Sequence, residues 1–400
     1  MAPAAFLVSG TRTPVGRYGG ALSSVRPDDL AALVIRRVVE DSGIPSAEVD
    51  EVILGNANGA GEENRNVARM AWLLAGFEET VPGITVNRLC ASGMSAIAQA
   101  QHMIAAGAAD LVVAGGVESM SRAPWVMAKP EKPFSRPGEV ADTSIGWRFV
   151  NPKHLEHEGR TYSMPETAEE VARVDGISRE DADAFALASQ QRAAAAAANG
   201  RLTREITPVE VPGRKGSVTV VDTDEGPRPE TTLEALAGLR PVVPGGSVVT
   251  AGNSSALNDG ASAVIVASER AVEKYGLTPR ARIAGSANAG VPPRIMGIGP
   301  VPATQKVLER TGWSLEDLEA VELNEAFATQ SLATIRRLGL DPEIVNTDGG
   351  AIALGHPLGS SGSRIVLSLI RRMEDDSLDR GLATMCVGVG QGSAMLLEKV

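Results

Sequence analysis

Gly43-Ile44-Pro45-Ser46-Ala47-Glu48-Val49-Asp50-Glu51-Val52-Ile53-Leu54 has an echo far along the chain, Gly312-Trp313-Ser314-Leu315-Glu316-Asp317-Leu318-Glu319-Ala320-Val321-Glu322-Leu323. Gly43, Ser46, Val49, Val52 and Leu54 answer Gly312, Ser314, Leu318, Val321 and Leu323, with one residue inserted. Each copy follows an amphipathic stretch closed by glycine, Asp28 to Gly43 and Pro302 to Gly312, which reads as a helix. Each then enters a short apolar strand, Val49 to Leu54 or Ala320 to Leu323. These strands run into a Gly-Asn-Ala-Asn-Gly loop and into Asn324. Self-similarity of this kind marks an internal duplication.

A second pair supports it. Ser92-Gly93 opens an Ala-rich helix, followed by a strand from Asp110 to Ala114 that ends in Gly115-Gly116. Its echo is Ser361-Gly362, a helix through Arg372, the strand Ala383 to Val387 and the loop Gly388-Val389-Gly390. Helices alternating with short, continuously apolar strands predict an α/β fold whose sheets are buried under helices, with mixed or parallel pairing. From about Ser119 to Val249 the rhythm breaks into a stretch rich in Pro, Gly and charge, with Trp125, Trp147 and one clear helix, Arg179 to Asn199. We read it as an inserted domain, because Asn258 to Ser268 resembles a returning core strand. The expected organisation is a first half at 1–118 plus 250–270, an insertion at 119–249, and a second half at 271–400.

Bulk properties limit what this architecture serves. With 43% hydrophobic and 22% charged residues the chain sits among globular proteins, and 400 residues suffice for two to three domains. Aromatics are only 3%, so the core rests on aliphatic side chains and the close approach that 43 glycines permit. A formal charge of -11 leaves no global positive field for nucleic acid or an anionic membrane. The apolar run Ala4 to Val8 lacks a basic leader and is too short to span a bilayer. Two cysteines make no disulfide framework and suit a reducing, cytoplasmic setting.

Those two thiols invite a chemical question. Cys90, in Asn-Arg-Leu-Cys-Ala-Ser-Gly-Met-Ser-Ala, stands where a helix begins, so first-turn amides and the helix dipole are expected to stabilise a thiolate and an oxyanion. A buried structural cysteine is the other reading. Cys386 lies in Cys-Val-Gly-Val-Gly-Gln-Gly at a strand end, where glycine-rich backbone presents amides to an anion or simply makes a tight turn. Neither cysteine has a partner at metal-ligand spacing, so no metal is expected. Of four histidines, His102 falls in an Ala-rich helix and His154 and His157 in a charged part of the insertion. That leaves His356, in a mobile-looking glycine-rich loop, as the base. Asn324 holds a water or donates to an oxyanion, or else caps a helix.

Six blocks in this order resemble the thiolases, the coenzyme A acetyltransferases and acyltransferases: Arg12 to Gly16, Asn87 to Ser95, Gly252 to Ser255, Asn324 to Phe327, Gly355-His356-Pro357, and Cys386 to Gly392. The resemblance spans nearly the whole chain. It implies duplicated α/β halves in five layers, α-β-α-β-α, with the insertion as a loop domain over the site. It also implies a two-step reaction. Cys90, deprotonated by His356, attacks the 3-keto carbon of a 3-oxoacyl-CoA; acetyl-CoA leaves as an enolate that Cys386 protonates; coenzyme A, activated by His356, then takes the acyl group. Two oxyanion sites follow from the resemblance, one from His356 and a water on Asn324, the other from the amides of Cys90 and Gly388. Losing one donor costs roughly 3 kcal/mol of barrier lowering. Arg228, Ser255, Met164, Met296 and Phe327 occupy the positions that hold coenzyme A, and the family suggests a dimer or a dimer of dimers.

One departure bears on the substrate. Acetoacetyl-CoA thiolases commonly carry His-Met-Gly in the loop domain, where this chain has Ser163-Met164-Pro165. Asp142 to Asn151 and Ser163 to Glu169 instead resemble the beta-ketoadipyl-CoA thiolases of aromatic catabolism. Such a substrate ends in a carboxylate, and Arg148 is the expected cation, with a structural Arg in a turn as the other reading. An acetoacetyl-CoA or fatty-acid 3-ketoacyl-CoA thiolase is the alternative. A 3-oxoacyl synthase would use two histidines, or His and Asn, with its cysteine, and Cys386 argues against it. A thiolase-like CoA-binding protein without turnover would be expected to lack Cys90, His356 or Cys386.

Overall fold

Two copies of one chain path build the molecule, and the computed structural model describes them over residues 3–130 and 132–400. The first copy comprises β1 (Ala5–Arg12), α1 (Pro27–Ser42), β2 (Glu51–Gly55), α2 (Val67–Leu74), β3 (Gly83–Val86), α3 (Ser92–Ala105) and β4 (Leu111–Ser119). A long excursion then carries α4 (Met164–Asp175) and α5 (Arg179–Ala198) before the chain returns as β5 (Asn258–Ser268). The second copy comprises β6 (Ala281–Gly290), α6 (Pro300–Thr311), β7 (Ala320–Leu323), α7 (Ala328–Leu338), α8 (Leu358–Asp376), β8 (Arg380–Val387) and β9 (Gln391–Glu398).

The core strands lie in the order β7-β8-β9-β6-β1-β5-β4-β2-β3, so each half repeats the other outward from β1 and β6. Pairing is parallel for β2 with β4 and for β7 with β8, and antiparallel for β4 with β5 and for β8 with β9. Even the edge repeats: β3 pairs in parallel with β2, and Val345 bridges in parallel to Val321 of β7. Within the sheet the strands of the two halves pair through Phe6↔Arg282 and Leu7↔Ala281.

Side chains on β5 alternate between two cores, as a strand covered on both faces requires. Val264 and Val266 join α3 and α8 in a central core with Ile97, Ile365, Leu369, Met385 and Met395. Ala263 and Ile265 face outward against Leu30, Ile35 and Trp72 of α1 and α2. On the other side α6 and α7 cover Val321, Leu382 and Leu396 with Val307 and Ile335. The five-layer α-β-α-β-α arrangement follows. Among the described residues no helix is long and apolar enough to cross a membrane.

The duplicated Ser-Gly pairs sit where α3 and α8 cross. A Cβ on Gly93 would lie 2.6 Å from Ser363 Oγ, and one on Gly362 would lie 2.4 Å from the Met94 amide nitrogen. Only glycine allows this approach, and it draws together the two loops that precede the helices. Gly362→Ala should therefore lower stability by about 1–3 kcal/mol through overpacking. Urea denaturation checks this, and an unchanged midpoint would refute it.

Elements differ from expectation at a few places. β2 begins at Glu51 because Ser46–Glu48 winds into a 3₁₀ turn. β4 does not end at Gly115-Gly116 but runs to Ser119; a Cβ on Gly116 would come within 1.9 Å of the Gly359 carbonyl oxygen, so these glycines serve packing and make no turn. α8 starts at Leu358, ahead of Ser361. The insertion holds a second long helix, α4, opened by a Ser163/Glu166 capping box with Pro165 in its first turn. That Ser-x-x-Glu signal was present in the sequence.

Candidate active site

Cys90 lies in a 3₁₀ turn, Leu89–Ala91, directly ahead of α3. Ser92 fastens the turn: its Oγ accepts from the Arg88 amide at 2.8 Å and donates to the Leu89 carbonyl at 2.7 Å. Leu89 is held at φ 48°. Burial pushes the Cys90 thiol up to about 11, although hydrogen bonds from the Gly388 and Cys90 amides pull the other way. The expectation of a thiolate stabilised by the helix start is thus corrected. Desolvation outweighs the amides, and the resting group is a neutral thiol.

Cys386 closes β8, fully buried, and Cys90 is near enough for its charge to add to the burial that raises the Cys386 thiol. The turn to β9 follows, with Val389 at φ 61° and Gly390 at φ 75°. A β-branched residue rarely adopts that conformation, and such strain persists only where the surroundings impose it. Here the turn aims the Gly388 N–H at Cys90.

His356 is not in a mobile loop. It is buried, between the helical turn Ala351–Leu354 and α8. Its backbone N–H donates to Asn258 Oδ1 at 2.9 Å, and Asn258 Nδ2 in turn donates to the Gly16 carbonyl at 2.9 Å. Its Nδ1 meets Ser361 Oγ at 2.6 Å, and that hydroxyl spends its proton on the Pro357 carbonyl at 3.0 Å. Ser361 can therefore only accept from the ring, which fixes the proton on Nδ1 and leaves Nε2 with a free lone pair. Asn324 Nδ2 stands 3.5 Å from Nε2, and Asn324 Oδ1 is buried without a partner. Asn324 caps no helix, since the N-cap of α7 is Phe327.

Burial, and after it the Arg364 charge, hold the His356 imidazole down at about 3. An unfolded His protonates near 6.5, so this group contributes stability that is lost as pH falls between those values. The ring resonances of His356 should accordingly stay at their neutral positions between about pH 5 and pH 8. An NMR titration with its midpoint near 6.5 would overturn that.

A cavity of about 440 Å³ lies next to His356, lined by its neighbours Asn258 and Gly355 and by Arg17, Tyr18, Arg228, Ser254 and Leu257; neither cysteine is on its wall. Arg228 is the only one of the five proposed coenzyme A positions on its wall. Met296 and Phe327, with Met164 against them, pack instead in an apolar cluster around Cys386. Ser255 contributes its amide to the Ala326 carbonyl at 2.9 Å. The remaining histidines, His102, His154 and His157, are exposed.

Sequence reasoning missed Arg17, Asn258, Ser361 and Glu118. Glu118, fully buried at the end of β4, accepts from the amides of Ala57 (2.9 Å), Asn58 (3.1 Å) and Gly359 (2.8 Å). Burial still pushes it up to about 7. Asn258 and Glu118 act through partners far away in the chain, whereas Ser361 lies only five residues from His356 and stood out in the sequence as half of a duplicated Ser-Gly pair, not as a partner of the histidine.

Residues 5–270 match the thiolase N-terminal domain and residues 277–399 the thiolase C-terminal domain. The beta-ketoadipyl-CoA thiolase of Pseudomonas aeruginosa is 58% identical over 398 residues, covering 99% of both chains. The 3-oxoadipyl-CoA/3-oxo-5,6-dehydrosuberyl-CoA thiolase of Escherichia coli is 57% identical over 399 residues, again 99% of both. The crystal structure of human mitochondrial 3-ketoacyl-CoA thiolase in complex with CoA superposes with a TM-score of 0.92 at 40% identity, covering 100% of this chain and 98% of that one. Family models that together span almost the entire sequence, and a fold built from the same two halves, lead to one conclusion: the chain belongs to the thiolase family.

Proposed function

We propose that the protein cleaves 3-oxoadipyl-CoA with coenzyme A, giving acetyl-CoA and a shorter acyl-CoA through an acyl-Cys90 intermediate, in a reaction that also runs backward as a condensation. The observation that carries the reading is the hydrogen-bond chain Pro357–Ser361–His356, which holds the ring proton on Nδ1 and leaves Nε2, with Asn324 Nδ2 3.5 Å away, to serve as the base. Burial favours the neutral form of both the Cys90 thiol and the His356 imidazole at rest. The proton moves as the thioester enters and Cys90 attacks. Cys386 then gives its proton to the acetyl-CoA enolate. His356 with a water on Asn324 receives the enolate charge, and the Cys90 and Gly388 amides receive the tetrahedral oxyanion.

Coenzyme A is substrate, not a bound cofactor. Arg228 suits its phosphates, and Met164, Met296 and Phe327 the pantetheine arm, with Ser255 alongside. We read residues 119–249 as the loop domain over the site, between the halves 1–118 plus 250–270 and 271–400. A homo-oligomer, dimer or tetramer, is supported by the edge strand β3, whose Ile84 is exposed beside Met70, Leu73 and Leu74 of α2. Two free cysteines fit a cytoplasmic enzyme.

Thiolysis rates on acetoacetyl-, 3-oxoadipyl- and longer 3-oxoacyl-CoA test the substrate. The highest kcat/KM is expected on 3-oxoadipyl-CoA. A clear preference for either of the others would replace this reading with that of an acetoacetyl-CoA or fatty-acid thiolase.

A further inference from the structure

Resting on that reading, we propose that Arg148 selects acyl chains that end in a carboxylate, and that Asn58 holds it ready as a positioning residue. Asn58 sits in the loop after β2 and spends both amide protons on Thr143, at 3.0 Å to the carbonyl and 3.0 Å to Oγ1. Its Oδ1 accepts from Arg148 Nη2 at 2.9 Å. The segment that presents Arg148 is shaped around it. Gly146 stands at φ 91° and Phe149 at φ 52°, while Trp147 Nε1 donates to the Tyr162 carbonyl at 3.3 Å. Phe149, although largely exposed, thus holds a left-handed backbone conformation next to the half-buried guanidinium.

What surrounds Arg148 gives the arrangement its meaning. The buried Glu118 carboxylate, fastened to the Asn58 amide, acts electrostatically on the Cys90 thiol, and Arg148 acts electrostatically on Glu118. Through Asn58 and Glu118, which also accepts from the Gly359 amide three residues beyond His356, Arg148 is tied to the start of α8 next to the histidine. A carboxylate carried into that region by the acyl chain would be repelled by Glu118 alone. With Arg148 it meets a guanidinium whose remaining N–H donors can take it in a fork. The partner that now occupies Arg148 is a neutral amide oxygen, which a carboxylate displaces readily because charge-assisted hydrogen bonds are roughly twice as strong. An acyl chain without a terminal charge gains nothing there.

The experiment compares kcat/KM for 3-oxoadipyl-CoA and acetoacetyl-CoA in the wild type, Arg148→Ala and Arg148→Lys. In Arg148→Ala the ratio of the two should fall about 30-fold, the scale of one lost hydrogen bond to a charged group, mainly through KM for 3-oxoadipyl-CoA. Lysine should restore part of it. If both substrates lose activity together, Arg148 serves only the loop and the inference is overturned; an unchanged ratio overturns it as well. A wild type that cleaves acetoacetyl-CoA but not 3-oxoadipyl-CoA refutes the substrate reading itself, a result distinguishable from either variant outcome.

Discussion

Cys90→Ala is expected to abolish turnover, lowering kcat by on the order of 10⁵-fold, as removal of a nucleophile does where the remaining groups act only through it. The variant should keep its fold. Cys90 sits on a turn fastened by Ser92, not by its own sulfur, and the substitution removes one small atom from the central core. The decisive measurement is intact-protein mass after brief exposure to acetyl-CoA. Wild type should gain one acetyl group on Cys90, and Cys90→Ala none. An adduct that persists in Cys90→Ala, or turnover within about tenfold of wild type, would remove Cys90 from the mechanism and with it the enzyme reading.

Cys386→Ala separates the two half-reactions. The transfer of an acetyl group from acetyl-CoA to Cys90 needs a base for the thiol but moves no proton at carbon. Breaking or forming the carbon–carbon bond does require one. Loss of a positioned acid/base costs about 10²–10⁴-fold. Cys386→Ala should therefore become acetylated on Cys90 at a rate close to wild type while acetoacetyl-CoA thiolysis falls by about 10³-fold. Equal loss in both assays would assign Cys386 a structural part in the cluster with Met296 and Phe327. The thiol is buried and held well above its ordinary value, which suits a group that must carry a proton to a carbanion and not leave as a thiolate.

Much of this was legible in one dimension. The repeated glycine-to-leucine segments became β2 and β7 in equivalent positions, and β5 returned at Asn258–Ser268 where the apolar run placed it. Those elements were readable because their signals are local: periodicity, a glycine closing a helix, a run of aliphatic residues. The order of the blocks likewise named Cys90, Cys386 and Gly388, which lie close to one another, and His356 and Asn324, which meet at Nε2. Glu118 and Asn258 went unnoticed because their meaning lies entirely in partners elsewhere, such as Asn258 Oδ1 on the His356 amide, 98 positions apart.

The repeated order of strands and helices and the chemical types available to the site are written in the sequence, because they follow from patterns between near neighbours. Only the tertiary structure decided which form those groups take. Burial made Cys90 a neutral thiol against the pull of the helix start. Ser361, reaching back to Pro357, fixed the proton on Nδ1 of His356. Gly93 and Gly362 set how closely the two loops approach. Protonation state and separation depend on desolvation and on contacts across the duplicated halves, which no local pattern encodes, and the tautomer rests on the side-chain geometry of the turn that joins His356 to Ser361.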